Sequence, residues 1–256
     1  MELIWVTDPH FELLHENAPF LFGEEIESKG DALVITGDIA NFLSLKLILM
    51  RLAAGFKKPI YFVLGNHDFY YGSFNQVTQL MNQLKKKFQK NNLYWLDAKS
   101  IPLSTDTVIY GSDGWYDVRI GNPNNLEMND FRLIKDFKNQ SKADIIKISQ
   151  SRADQLAEKV TIKLRNLAAK YKKIIFATHA PPFPSNQDED WSPWFTNISL
   201  GKVLLKIAAE FPHTFLVVIC GHTHRHQIIK PTHNLICYVG GADYYQPNIS
   251  SILEIK

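Results

Sequence analysis

The sequence predicts an α/β protein, and three observations carry the prediction. Short apolar runs recur along the chain, "LIWV" (3–6), "ALVITG" (32–37), "PIYFVLG" (59–65), "KIIFATHA" (173–180) and "TFLVVICG" (214–221). Each is stopped by glycine or polar residues and is too short for a helix. Helical patterns lie between several of these runs, and strand alternating with helix implies a largely parallel sheet. The tail, "HQIIK", "NLICYVGG" and "SSILEIK", reads as consecutive strands without helices, so the end is expected to be antiparallel.

The elements follow in order. Residues 3–6 form a strand almost directly after Met1, with no basic leader, long apolar stretch or small-residue cleavage site before them. The second run ends at Gly37, and a helical pattern covers Phe42 to Ala54 before the third run. A second helix is expected over Phe74 to Gln89, with "LKKKF" (84–88) as its wet face. Residues 97–140 are the least regular and read as a sheet edge plus a surface excursion. A long amphipathic stretch near Ala143 to Tyr171 and a shorter one from Leu200 to Phe211 flank the fourth run.

Composition bounds what this chain can be. Its 256 residues, 45% of them hydrophobic, can fill a substantial core, and with no repeat or long linker one domain over 1–256 is expected. The net charge of +2 is too small to flag a nucleic-acid partner. No stretch reaches the 18 or so apolar residues of a membrane span, so no membrane partner is expected. Cys220 and Cys237 form no CxxC pair and sit in apolar runs, which suits buried reduced thiols and a cytoplasmic location.

Polar residues gather where the runs end: "TDPH", "GDIAN", "GNHD", "THAPP" and "GHTH". A single loop such as "GNHD" could be a turn with His and Asp facing water. Taken together, loops at the carboxyl ends of parallel strands converge on one crevice, where such folds place ligands. Asp8, His10, Asp38, Asn66, His67, Asp68, His179, His222 and His224 would then meet, and they include five of the nine histidines in the chain. Carboxylates and imidazoles packed out of water need partners or cations. Lys and Arg are nearly absent from these motifs, so the cations must come from outside. Carboxylate, imidazole and amide oxygen without thiolate suit Mn²⁺ first and Fe or Zn²⁺ next. Two ions are expected, since seven candidate ligands exceed what one ion holds. In an extended segment Asp8 and His10 point the same way, and Pro9 biases Asp8 towards that conformation.

The ordered set D-x-H, G-D, G-N-H-D, H and G-H-x-H, spanning residues 8–224, resembles the calcineurin-like metallophosphoesterase superfamily. The resemblance implies a four-layer α/β/β/α sandwich with mixed sheets and an active site at the C-terminal ends of the strands. It also implies that Asp8, His10, Asp38 and His224 hold one ion and that Asp38, Asn66, His179 and His222 hold the other, with Asp38 bridging. Two dications less the charges of Asp8 and Asp38 leave about +2, which attracts a phosphate. A water held between the ions would lose a proton near neutral pH and attack phosphorus as a metal-bridging hydroxide. His67, which the resemblance does not use as a ligand, is the general-acid candidate, and Asp68 resembles the acidic residue that orients it. Gly65 is expected to permit the turn.

These readings imply an enzyme, a phosphoric ester hydrolase acting on a small-molecule phosphodiester or phosphomonoester. The rival is a catalytically silent binding scaffold of the same fold, and ligand completeness favours the enzyme. Weaker signals surround the motifs. Trp115 and Tyr116 are the first candidates among nearby aromatics for stacking on a flat leaving group, with core packing as the alternative. Phe69, Tyr70, Tyr71, Trp191, Trp194, Tyr244 and Tyr245 are the other such aromatics, and "NQDEDW" (186–191) reads as a solvated acidic loop.

Overall fold

Alternation along the first strand sets the architecture. In the computed structural model, which describes residues 1–124, 126–184 and 192–256, Ile4 and Val6 belong to one core while Leu3 and Trp5 belong to another. A strand buried on both faces reads as a continuous apolar run, which is why these strands are visible in the sequence.

The elements run β1 (Glu2–Val6), α1 (Ala18–Ile26), β2 (Ala32–Thr36), α2 (Leu45–Gly55), β3 (Ile60–Val63), α3 (Phe74–Lys90), β4 (Leu93–Trp95), β5 (Ile101–Pro102) and β6 (Thr107–Gly111). They continue with α4 (Asp130–Leu133), α5 (Lys142–Ala168), β7 (Lys173–Ala177), α6 (Ser192–Phe195), α7 (Ile198–Glu210), β8 (Phe215–Cys220), β9 (Gln227–Thr232), β10 (Leu235–Val239) and β11 (Ser251–Glu254). One sheet has the order β11-β1-β2-β3-β4 and the other β5-β6-β7-β8-β10-β9.

Three cores separate four layers, the sandwich the sequence implied. Ile4, Leu33, Ile35 and Phe62 of the first sheet pack with Phe22 of α1, Leu49 and Leu52 of α2 and Val77 of α3. Ile174, Phe176, Leu216 and Val218 of the second pack with Val160 and Leu164 of α5 and Leu204 and Ile207 of α7. Between the sheets lie Leu3, Trp5, Val34, Val63, Ile109, Ile175, Val217 and Ile219. Among the described residues no helix is long and apolar enough to cross a membrane.

Some expectations need correction. Helix α1 carries Pro19 in its first turn and no clean apolar period, and the sequence reading missed it. Within residues 97–140, β5 is a sheet edge, but β6 is an interior strand between β5 and β7. In "LKKKF" the two ends, Leu84 and Phe88, are buried in the first core, and Lys85 and Lys87 are exposed. The tail divides between the sheets: β9 pairs antiparallel with β10, β10 parallel with β8, and β11 returns antiparallel to β1. The two cysteines are buried and free, 3.7 Å apart at sulfur.

For function the parallel strands matter most. β1, β2 and β3 are successive parallel neighbours, as are β6, β7 and β8. The segments after β1, β2, β3, β7 and β8 therefore leave at the same ends of their sheets. Hydrogen bonds tie these segments together, from Asp8 N to Gly37 O (3.2 Å), His10 N to Asp38 O (3.0 Å) and Gly221 N to His179 O (2.9 Å).

Candidate metal centre

The segments leave their strands in an unusual backbone state. Asp8 (φ 48°), His10 (φ 43°), Asp38 (φ 50°), His222 (φ 70°) and His224 (φ 55°) all adopt left-handed φ. Asp and His tolerate that region better than most residues, yet each instance costs about 1–3 kcal/mol. Five in one cluster mark a place where strain is held for a purpose. They also correct the expectation that Pro9 keeps Asp8 extended: paired left-handed turns, stitched to the loop after β2, bring Asp8 and His10 to the same centre.

Gly65 serves close approach rather than a turn. A Cβ there would run into Asp38 Oδ1 and the His179 ring. At Gly221 a Cβ would run into Thr7 Oγ1 and Asp8 Oδ2. Both glycines let a backbone lie against the carboxylates that the cluster is built around.

Side chains from all five segments converge. Asp8, His10 and His224 form one group whose ligand atoms lie within 4.8 Å of one another, and Asp38, His179 and His222 form a second. Asp38 stands between them: Oδ1 is 3.3 Å from His179 Nε2, and Oδ2 is 3.9 Å from both His10 Nε2 and His67 Nε2. Asn66 Oδ1 is 3.1 Å from His179 Nε2 and joins the second group. Asp8, His10, Asp38, Asn66, His179 and His222 are buried, while His224 is partly exposed.

The donor set fits cations. His179 Nδ1 lies 2.8 Å from Thr36 O, so its proton belongs there and Nε2 is left as a lone pair. His222 Nε2 likewise lies 2.9 Å from Trp194 O, leaving Nδ1 free. Those two lone-pair nitrogens face each other at 3.1 Å, beside Asp38 Oδ1 and Asn66 Oδ1. In those tautomers none of the four atoms can donate to another, and among the described residues Asp38 Oδ1 accepts only from the backbone N–H of His67 (2.9 Å). In the other group His10 Nε2 and His224 Nε2 are also 3.1 Å apart, and His224 Nε2 is 3.5 Å from Asp8 Oδ1.

The electrostatics of the metal-free chain agree. Burial raises the Asp38 carboxyl, but His179, His67 and His10 outweigh it and hold it well below the usual carboxylate range. Burial opposes charge on His179, yet Asp38 and Asp8 draw it up to about 10, so a proton stands where a cation would. Burial, with His179 beside it, pushes His222 down to about 4.

His67 sits at the rim with its side chain 18% exposed. Its partner differs from expectation. Asp68 is fully buried and its carboxylate accepts backbone N–H groups from Ile39 (3.1 Å), Ala40 (2.9 Å) and Gly65 (2.8 Å). Those bonds orient the loops after β2 and β3, and Asp68 does not touch the His67 ring. Glu12 does, with Oε1 3.3 Å from His67 Nδ1. Burial opposes protonation of His67, but Asp38 and Glu12 raise it to about 9.

Trp115 and Tyr116 also fall away as substrate residues. Both are buried, Trp115 among Phe69, Phe74 and Phe137, and Tyr116 with its hydroxyl donating to Asp130 Oδ2 at 2.7 Å. Trp191 and the "NQDEDW" segment lie outside the described residues. Asp130, which the sequence reading passed over, and Tyr244, one of the aromatics it named, support the cluster from below and above. Asp130 Oδ1 accepts from Asn66 Nδ2 (2.9 Å) and from Tyr70 OH (2.7 Å), which turns the Asn66 oxygen towards His179. The Tyr244 ring lies 4.8 Å from His10 and 4.7 Å from His224. Asp130 carries no local signal, whereas Glu12 could have been found from its two-residue offset from His10.

Above the cluster opens a cavity of about 340 Å³. The model of the calcineurin-like phosphoesterase family matches residues 1–226. The chain belongs to that family.

This phosphoesterase resembles solved structures at low identity. Phosphopantetheinyl hydrolase from Mycobacterium tuberculosis superposes with a TM-score of 0.66 at 14% identity, over 93% of this chain and 89% of that one. A dimetal phosphatase from Danio rerio gives 0.61 at 12% identity, over 94% and 87%. A Plasmodium protein described as the anchor in the inner membrane complex gives 0.51 at 14%, over 94% and 71%. No protein with a curated description matches the sequence. The likenesses bear on the fold, a metallophosphoesterase sandwich, and family membership makes the chain a metallophosphoesterase.

Proposed function

We propose that this phosphoesterase is a dinuclear metal-dependent hydrolase of small-molecule phosphoesters, acting as one catalytic domain over residues 1–256. Asp8, His10, Asp38 and His224 would hold one divalent ion, and Asp38, Asn66, His179 and His222 the other. The observation that carries this reading is the position of Asp38, whose two oxygens face different groups of nitrogen donors. Ions bound there would supply positive charge beside the phosphoryl oxygens and an activated water.

The chain's own residues supply the rest. Thr36 O and Trp194 O hold the His179 and His222 rings in the tautomers that leave their inner nitrogens unprotonated. Glu12 accepts from His67 Nδ1, which leaves Nε2 facing the cavity over Asp38. A proton at that nitrogen can pass to the departing alkoxide oxygen. The Tyr70 ring, stacked at 4.2 Å on His67, limits its rotation. In this role the general acid is His67 and Glu12 is its positioning residue, in place of Asp68.

The test strips the protein of metal, reloads it with Mn²⁺, Fe²⁺, Zn²⁺ or Mg²⁺, counts bound ions, and assays p-nitrophenyl phosphate, its bis ester and cyclic nucleotides. Two ions per chain and metal-dependent turnover are expected, Mn²⁺ being the first choice. Two bound ions with no turnover on any ester would mark a silent scaffold instead.

A further inference from the structure

The walls of the cavity differ from its floor. Above the cluster they are formed by Leu126, Met128, Phe195 and Tyr244, with Glu127 and Asn129 at the rim. No described lining residue is Lys or Arg.

The apolar walls stand against different halves of the cluster. The Phe195 ring lies 4.7 Å from His222, in the group that includes Asp38 and His179. Tyr244 covers His10 and His224, in the group that includes Asp8. A phosphorus centred over Asp38 would thus have an apolar surface on the side of each group.

Charge separates the substrate classes. Two dications balanced by Asp8 and Asp38 would leave about +2 at the floor, which attracts any phosphate, so a preference for one negative charge over two has to come from the walls. A phosphomonoester adds a second negative charge, and a polyphosphate adds more, so sites for them gain from cationic side chains around the phosphate. This wall offers the Glu127 carboxylate instead, which repels the additional charge. A diester brings one charge and two organic groups, and the walls offer an apolar surface for each.

On the reading of the site as a phosphoester hydrolase, we propose that it selects phosphodiesters with a single negative charge and uncharged, apolar-faced ester groups over phosphomonoesters and polyphosphates, with Glu127 as the residue that sets the charge preference. The Mn²⁺-loaded protein is compared with Glu127→Gln and Glu127→Lys. Two readouts are used: kcat/KM on bis(p-nitrophenyl) phosphate and on p-nitrophenyl phosphate, and calorimetric binding of phenylphosphonate and its monoethyl ester at mildly alkaline pH.

The parent is expected to favour the diester, and to bind the ethyl ester more tightly than the dianion. Glu127→Lys should shift both ratios towards the doubly charged compound by about tenfold, and Glu127→Gln by less. Glu127 is exposed, so neither substitution threatens the fold. A parent that prefers the monoester, or ratios that Glu127→Lys leaves in place, would overturn the proposal with the hydrolase reading intact. Two bound ions with no turnover of either ester and no phosphonate binding would overturn both.

Discussion

Glu12 Oε1 lies 3.3 Å from His67 Nδ1 and 3.5 Å from His10 Nδ1, so a single carboxylate reaches the proposed proton donor and a proposed metal ligand. Burial works against its charge, but both histidines more than offset that and lower its pKa. Glu12→Gln keeps the shape and loses the charge. At saturating metal, kcat on alkyl esters should fall by about 10- to 100-fold. The p-nitrophenyl esters, whose leaving group needs little protonation, should lose far less. An equal loss on both would assign Glu12 to the metal site alone.

His67→Ala removes the proton donor without removing a proposed ligand. The count of bound ions should match the parent, and kcat on esters of poor leaving groups should fall by about 10²- to 10⁴-fold. Elemental analysis beside steady-state kinetics checks both halves, and equal activity in variant and parent would remove His67 from the mechanism.

Asp38 faces both groups, so Asp38→Ala should abolish binding of both ions together. A variant that retains one tightly bound ion would show that the two groups are independent and that Asp38 does not bridge.

Asp130 touches no proposed ligand except Asn66, whose amide it orients with help from Tyr70 and Tyr116. In Asp130→Asn the amide of Asn66 loses its anionic acceptor. Affinity for the ion in the Asp38, Asn66, His179 and His222 group should drop by about 10- to 100-fold, with the other ion little changed. A calorimetric titration with two resolved steps reads the difference.

Asp113 offers a pH test away from the centre. Burial pushes its carboxyl up to about 8 and nearby Asp97 pushes the same way, while its Oδ1 accepts from Leu64 N (2.8 Å) and Trp95 Nε1 (2.9 Å). A carboxyl whose folded pKa is raised stays protonated in the folded chain after the unfolded chain has ionised. Its contribution to stability is whole below the unfolded value of 3.8 and is lost as pH rises through about 8. Asp113→Asn keeps the acceptor oxygen and cannot ionise. The parent Tm should therefore fall more steeply than that of the variant between mildly acidic and mildly alkaline pH; parallel curves would refute the assignment.

Much of the fold was legible because burial on both faces writes β1, β2, β3, β7 and β8 as uninterrupted apolar runs. Where that signal fails, so does the reading. The apolar part of β6, Val108 to Tyr110, is only three residues long, β4 and β5 have three and two residues, and α1 carries a proline in its first turn. The polar loops were equally legible, since chain topology requires loops at the same ends of parallel strands to meet.

Local sequence therefore determined which elements form, that they alternate, and which acidic and imidazole side chains are delivered to one place, because periodicity and strand ends are properties of neighbouring residues. Tertiary structure decided how those side chains are used. Asp68, adjacent to His67 in the chain, spends its carboxylate on backbone N–H groups, and Glu12, 55 positions away, takes the ring instead. Trp115 and Tyr116 sink into the core, while Phe195 and Tyr244 reach the cavity wall. The reason is physical: hydrogen bonds and stacking act over a few ångströms of space, and separation along the chain does not report those distances once two sheets have closed on each other.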